Sequence, residues 1–294
     1  MKNMIIAIGL GFLLISGCAT QSIQQGKDLS TSGIAYTNAV DKLLDVTTDR
    51  IIDFDTEELK RSRRGSDPRG MITEKNMAVT DVIKELEEFR KQTRLLKTYF
   101  LNLQALADSP VKDDAGGAVE SLSDSISKLN KTLGGIDGKE NLNADQKTQI
   151  GKLGGLVANA THADKIKSAL ERDAEIIGIY LALQENQLEN ITDILKDRFK
   201  AENDLFLNEM VIAPYVDRNQ KLGSAWENNR KQWLKTQFLS DELDTAKTAA
   251  KQLRGIWADI LQGKSDINSL SVLISNVNEF VTTVQALEAA GEAN

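Results

Sequence analysis

Residues 79–107 read V-T-D-V-I-K-E-L-E-E-F-R-K-Q-T-R-L-L-K-T-Y-F-L-N-L-Q-A-L-A, and their spacing decides the fold. Val79, Val82, Leu86, Phe89, Thr93, Leu96, Phe100, Leu103 and Ala107 lie alternately three and four residues apart. That alternation keeps one stripe of a helix apolar and is the seam pattern of coiled coils. Working outward, Leu243, Ala246, Ala250, Leu253, Trp257 and Ile260 repeat it. So do Ile267, Leu270, Ile274, Val277, Val281 and Val284, with a shorter copy at Val119, Leu122, Ile126, Leu129 and Leu133. No alternating stretch rich in Val, Ile and Thr is bounded by hairpin turns, so strands are not expected.

The longest helical reading covers about Ala163 to Ala213, where Ile166, Ile177, Leu188, Phe199 and Met210 recur every eleven residues. An eleven-residue period is about 3.67 residues per turn, so this helix should run nearly straight. The expected fold class is all-α: an elongated helical bundle with coiled-coil-like segments and one very long central helix. Helix starts are expected at Thr161-His162-Ala163-Asp164 and Ser224-Ala225-Trp226-Glu227, which have capping-box spacing. Ser109-Pro110 places a cap before a first-turn proline, and Thr73, Ser240 and Ser265 precede acidic residues. Stops are expected at Gly65–Gly70, Gly116-Gly117, Gly134-Gly135, Gly223 and Gly263, and Pro214 should end or kink the long helix. Eight of the twenty glycines fall between 116 and 155, so 115–160 should be the loosest section of a bundle domain spanning 33–294.

Composition narrows the chemistry. Of 294 residues, 41% are hydrophobic and 27% charged, the balance of a chain that folds rather than stays disordered. One Cys excludes an internal disulfide, and one Cys with one His is too few for a structural zinc site. No metal or cofactor is expected. A single His also limits proton-shuttling chemistry, and His162 reads as a solvent-facing helix-start residue. The net charge of −7 argues against general nucleic-acid binding, which calls for a basic face.

The first eighteen residues carry the most specific motif. Lys2 precedes an apolar run from Met4 to Ile15, too short to span a bilayer core, which needs about 20 helical residues. The run has the form of the apolar part of an export signal. It ends in Ile15-Ser16-Gly17-Cys18, and this resembles the lipobox of bacterial lipoproteins. The resemblance implies that residues 1–17 are a signal peptide and that Cys18 becomes acylated. Residues 19–32 are small and polar, as expected of a tether, so 18–32 reads as a lipidated tether. Ala19 after the Cys implies sorting to the outer membrane. Two or more acyl chains hold a protein stably at a bilayer, so no spanning helix is needed.

Enzyme motifs fail in turn. Gly263-Lys264-Ser265 imitates the end of a phosphate-binding loop, but Ala258 stands where its first glycine belongs. Asp53, Asp55 and Glu57 have calcium-loop spacing, yet Glu58 replaces the glycine and Arg64 the bidentate Glu. An enzyme is not expected.

Two clusters remain as contact candidates. Lys60, Arg61, Arg63, Arg64 and Arg69 form a basic patch in an acidic chain, an anion or partner contact unless it only caps a helix end. Trp226 and Trp233 lie seven apart with Arg230 between them, residues suited to a partner or glycan contact, or else to packing. The expected function is a non-enzymatic, lipid-anchored structural or docking component of the envelope. Its partners would be the membrane through acylated Cys18 and another envelope protein or peptidoglycan, with self-association open. The alternative is a helical module for lipid or another apolar ligand.

Overall fold

The computed structural model describes residues 4–63, 67–108, 120–121, 124–125, 128, 165–236, 243–264 and 267–292. Among them the longer elements are α1 (Met4–Ser62), α2 (Pro68–Asp108), α3 (Lys165–Phe206), a π-helix (Leu207–Ile212), α4 (Ala213–Val216), α5 (Ser224–Thr236), α6 (Asp244–Leu261) and α7 (Ile267–Glu292). The class is all-α, as the periodicity requires, and the helices pack side by side as a bundle. Most of 115–160, His162, the 161–164 cap, Ser109-Pro110, Ser240, Ser265 and Arg64 lie outside the described residues.

The chain divides into two compact units, each assembled from three separate stretches. The first takes Met1–Asn38, Gln92–Asn186 and Ala249–Asn278; the second takes Ala39–Lys91, Gln187–Thr248 and Glu279–Asn294.

In the first unit the seam of α2 is buried from Thr93 through Leu96, Phe100 and Leu103 to Ala107. Trp257 of α6 is fully buried, edge-on to Tyr99 at 6.0 Å, and its Nε1–H donates to the Ala174 carbonyl at 3.4 Å. Residues 23–32, expected as a tether, belong instead to α1, where Leu29, Ser30 and Ser32 are buried. Small residues make this possible. A Cβ on Gly33 would sit 2.5 Å from the ring of Phe100, and one on Gly26 would sit 2.9 Å from Ile166. Both glycines therefore serve close approach between helices. The hydroxyls of Ser30 and Thr37 bond back to the carbonyls of Lys27 and Gly33 at 3.0 and 2.9 Å, so burial leaves neither unpaired. The folded body thus begins earlier than residue 33.

The same unit buries one carboxylate. Asp173 is fully enclosed and takes a forked pair of bonds from Arg172, at 2.6 and 2.9 Å, with the Tyr99 hydroxyl facing it. Burial pushes its pKa above the ordinary carboxyl value, outweighing the arginine. The folded state therefore holds this proton more tightly than the unfolded state does. The contribution is full below the unfolded value of about 4 and is lost as pH rises through the raised folded value. We expect the melting temperature of wild type minus that of Asp173→Asn to fall steadily from pH 4 upward. A difference that grew with pH would reverse the assignment.

In the second unit Leu43, Leu44, Leu86, Phe89, Leu188, Leu195, Phe199, Phe280 and Leu287 form the core. Val79 and Val82, the first two seam positions of α2, are only half-buried. Ile274 of α7 is 40% exposed, although its spacing places it on a seam. The buried line in that helix is Leu270, Leu273, Val277, Phe280, Val284 and Leu287, which also alternates by three and four. The two registers compete in the sequence, and the one carrying Phe280 and two more leucines is buried.

Helix ends follow local chemistry. Asp67 caps α2, its Oδ1 accepting from Gly70 N–H at 2.9 Å, and Pro68 occupies the first turn. This start lies before Thr73, which sits inside the helix. At the end of α6, Gly263 has φ 67° and Lys264 N–H reaches the Asp259 carbonyl at 2.8 Å, a left-handed glycine stop where one was expected. α1, at 59 residues, is longer than α3 at 42.

Candidate functional site

The expected eleven-residue line on α3 holds at Ile166, Ile177, Leu188 and Phe199, all buried, and fails at Met210, which is 42% exposed. The cause is the π-helix Leu207–Ile212. Each π turn takes up an extra residue, so the apolar face rotates and Val211 is buried in place of Met210. Pro214 follows at once. It neither ends nor breaks the backbone, which stays helical to Val216, with Ala213 N–H bonded to the Asn208 carbonyl in the wider pattern. A proline leaves the preceding turn one donor short. The carbonyl so deprived is that of Glu209 or Met210; Trp226 bonds the neighbouring one, its Nε1–H donating to the Val211 carbonyl at 2.9 Å.

Trp226 also stacks on Tyr215, ring centroids 5.8 Å apart and planes 20° from parallel. It is thus an internal fastener that joins α5 to the π-helix. Trp233 is half-buried and Arg230 exposed. Around the fastened turn a set of large apolar side chains faces solvent: Met210, Ile212, Tyr215, Val216 and Leu222. Tyr215 and Val216 are the most open, at 66% and 68%. Of this group, only Met210 stands in the apolar line read from the sequence, as an inward-facing position. Pro214 immediately before Tyr215-Val216 was the available signal.

Beside this turn, and within the same unit, lies a cleft of about 520 Å³. α1 supplies Arg50, Asp53, Phe54, Lys60 and Arg61; α3 supplies Phe199, Glu202 and Phe206; the π-helix supplies Glu209 and Met210. At its floor Arg50, 8% exposed, pairs with Glu202 at 3.1 Å and lies 5.1 Å over the ring of Phe199. Arg198 covers the ring of Phe54 at 4.3 Å. Burial raises the pKa of Glu202, and neighbouring Asp53 raises it further, against the opposing pull of Arg50 and Arg198.

The basic patch is divided by its own unit. Lys60 pairs with Glu57 at 2.6 Å and Arg61 with Glu209 at 3.2 Å. Arg63 and Arg69 are exposed, on either side of a segment outside the described residues. The Asp53, Asp55 and Glu57 spacing falls on helix rather than on a loop, and Asp55 instead lies 3.9 Å from Lys75. Cys18 falls within the bounds of α1. Among the described residues no helix is long and apolar enough to cross a membrane. No protein-family model, curated protein or solved structure matches the chain.

Proposed function

We propose that the chain is a lipid-anchored, non-enzymatic interaction protein of the bacterial envelope, held at the outer membrane by acylated Cys18. It docks a protein partner through the turn around Tyr215. The anchor rests on Lys2, the apolar run and Ile15-Ser16-Gly17-Cys18. The observation that carries the docking role is the exposed group Met210, Ile212, Tyr215, Val216 and Leu222. Scattered apolar side chains on a surface need no explanation, but five large ones exposed within residues 210–222 point to a contact site.

A protein partner fits better than a bilayer surface because the group is pre-ordered. The Tyr215–Trp226 stack and the Trp226–Val211 bond fix the turn before any partner arrives, which lowers the ordering cost of association. An exposed tyrosine held rigid among apolar side chains is also the chemistry of interface hot spots.

The test is photocrosslinking in cells from a benzophenone amino acid at Tyr215, with wild-type Cys18 and with Cys18→Ala. We expect one discrete protein adduct with the wild-type anchor and its loss, with the membrane fraction, in Cys18→Ala. Adducts to lipid alone, or no adduct from an anchored chain, would remove the docking role. Membrane retention and fatty-acid labelling that survive Cys18→Ala would remove the anchor.

A further inference from the structure

We propose that the cleft of the second unit binds an organic cation, an ammonium group on an apolar stem, with Glu202 and Asp53 taking the charge and the phenylalanines taking the stem. The size suits a small ligand, since such sites commonly enclose about 300–1,000 Å³ and this one encloses about 520 Å³. Its lining is mixed in the required way. Phe54, Phe199, Phe206 and Met210 offer apolar area, and charged groups stand among them.

The sign of the ligand follows from which charges are already answered. Each of the three lining cations has a carboxylate partner: Arg50 on Glu202, Lys60 on Glu57 and Arg61 on Glu209. Glu58 is answered from outside the lining by Lys75, at 2.5 Å. Two acceptors are left over. Among the described residues Asp53 has no ion pair, and the buried Oε1 of Glu202 has no hydrogen bond. The two carboxyl groups are close enough that Asp53 hinders ionisation of Glu202. An arriving ammonium supplies donors to both and relieves that repulsion. An anion would meet uncompensated negative charge, and a neutral alcohol would leave Asp53 unanswered.

The rings point the same way. Arg50 and Arg198 already lie over Phe199 and Phe54, so these aromatic faces hold cations within the protein itself. An alkylammonium is the shared chemistry of a free amine and of a lysine side chain presented by a protein.

The experiment is titration calorimetry on the full chain in uncharged detergent micelles at pH 7. The probes are n-hexylammonium, Nα-acetyl-lysine methylamide, n-hexanoate and n-hexanol. Saturable one-to-one binding of hexylammonium is expected, weakened at least tenfold in Asp53→Asn and in Glu202→Gln. Tighter binding of the lysine derivative than of hexylammonium would identify the source as a protein lysine; the reverse would identify a free amine. Glu202→Gln disturbs the Arg50 pair, so folding of that variant is checked by its melting curve. Asp53 is exposed, and its variant should fold as wild type does. Hexanoate or hexanol binding as tightly as hexylammonium would overturn the proposal. So would hexylammonium binding that fails to saturate or is unchanged in a folded Asp53→Asn.

Discussion

Trp257→Ala is expected to remove about 3–5 kcal/mol of folding stability, the range for truncating a large buried aromatic. The side chain is fully buried and makes two directed contacts besides its packing. One is the edge-on contact with Tyr99 at 6.0 Å, and the other is the Nε1–H bond to the Ala174 carbonyl. Its loss opens a cavity between α2, α3 and α6 and leaves that carbonyl without the indole donor. Urea denaturation should show a lower midpoint with the slope unchanged, because the folded and unfolded chains still differ by the same exposed area. Trp257→Phe should recover part of the loss, since the ring contact survives and the hydrogen bond does not. A loss below about 1 kcal/mol would mean that the surrounding helices collapse onto the space, against the close packing described.

The second large effect is expected at Arg50→Ala. Removing one member of a buried pair costs about 3–5 kcal/mol, because the remaining charge is stranded in a poor solvent. Glu202 is 24% exposed, so water screens part of that penalty and a loss of about 2–3 kcal/mol is expected. Two comparisons separate stranded charge from lost packing. Arg50→Met with Glu202→Met should lie within about 1 kcal/mol of wild type, since matched apolar replacements of buried pairs are often neutral. Lowering the pH should also shrink the deficit of Arg50→Ala. Without Arg50 the carboxyl of Glu202 is raised further, and protonation removes the charge that cannot be solvated. A deficit that stayed flat through the carboxyl range would assign the effect to the lost stack on Phe199.

Periodicity revealed the helices because a seam must repeat where a partner helix is continuous. From Leu86 to Ala107 the predicted line is the buried line. Three of the readings that failed did so for an instructive local reason. Seam register in α7 was ambiguous, since Ile274 and Leu273 each complete a three-four series, and only the packed neighbours choose between them. Met210 left the core because a π turn inserts a residue into the count, which an eleven-residue period cannot anticipate. Residues 23–32 looked like a tether because small polar residues are common in linkers. Here Gly26 within that stretch and Gly33 just after it let helices approach within the width of a missing methyl. The cleft was the least legible feature. Arg50 and Glu202 are 152 positions apart, and nothing in either local pattern announces the other. What could be read were the spacings Arg50–Phe54 and Phe199–Glu202–Phe206, each of which places its members on one helix face.

The division of the chain into interleaved stretches bears on the order in which it can fold. The first unit lacks Ala249–Asn278, and the second lacks Glu279–Asn294, until nearly all of the chain has been synthesised. Domains made of one continuous stretch can close as they leave the ribosome, but neither unit here has that option. Trp257 and Phe280, two of the largest fully buried side chains, both belong to these late stretches. The early stretches therefore lack part of their core until the late ones are made. For a chain bound across a membrane through a narrow channel, this late closure is an advantage. For the export proposed above, a core completed this late would leave the chain open to threading until its last stretches arrive.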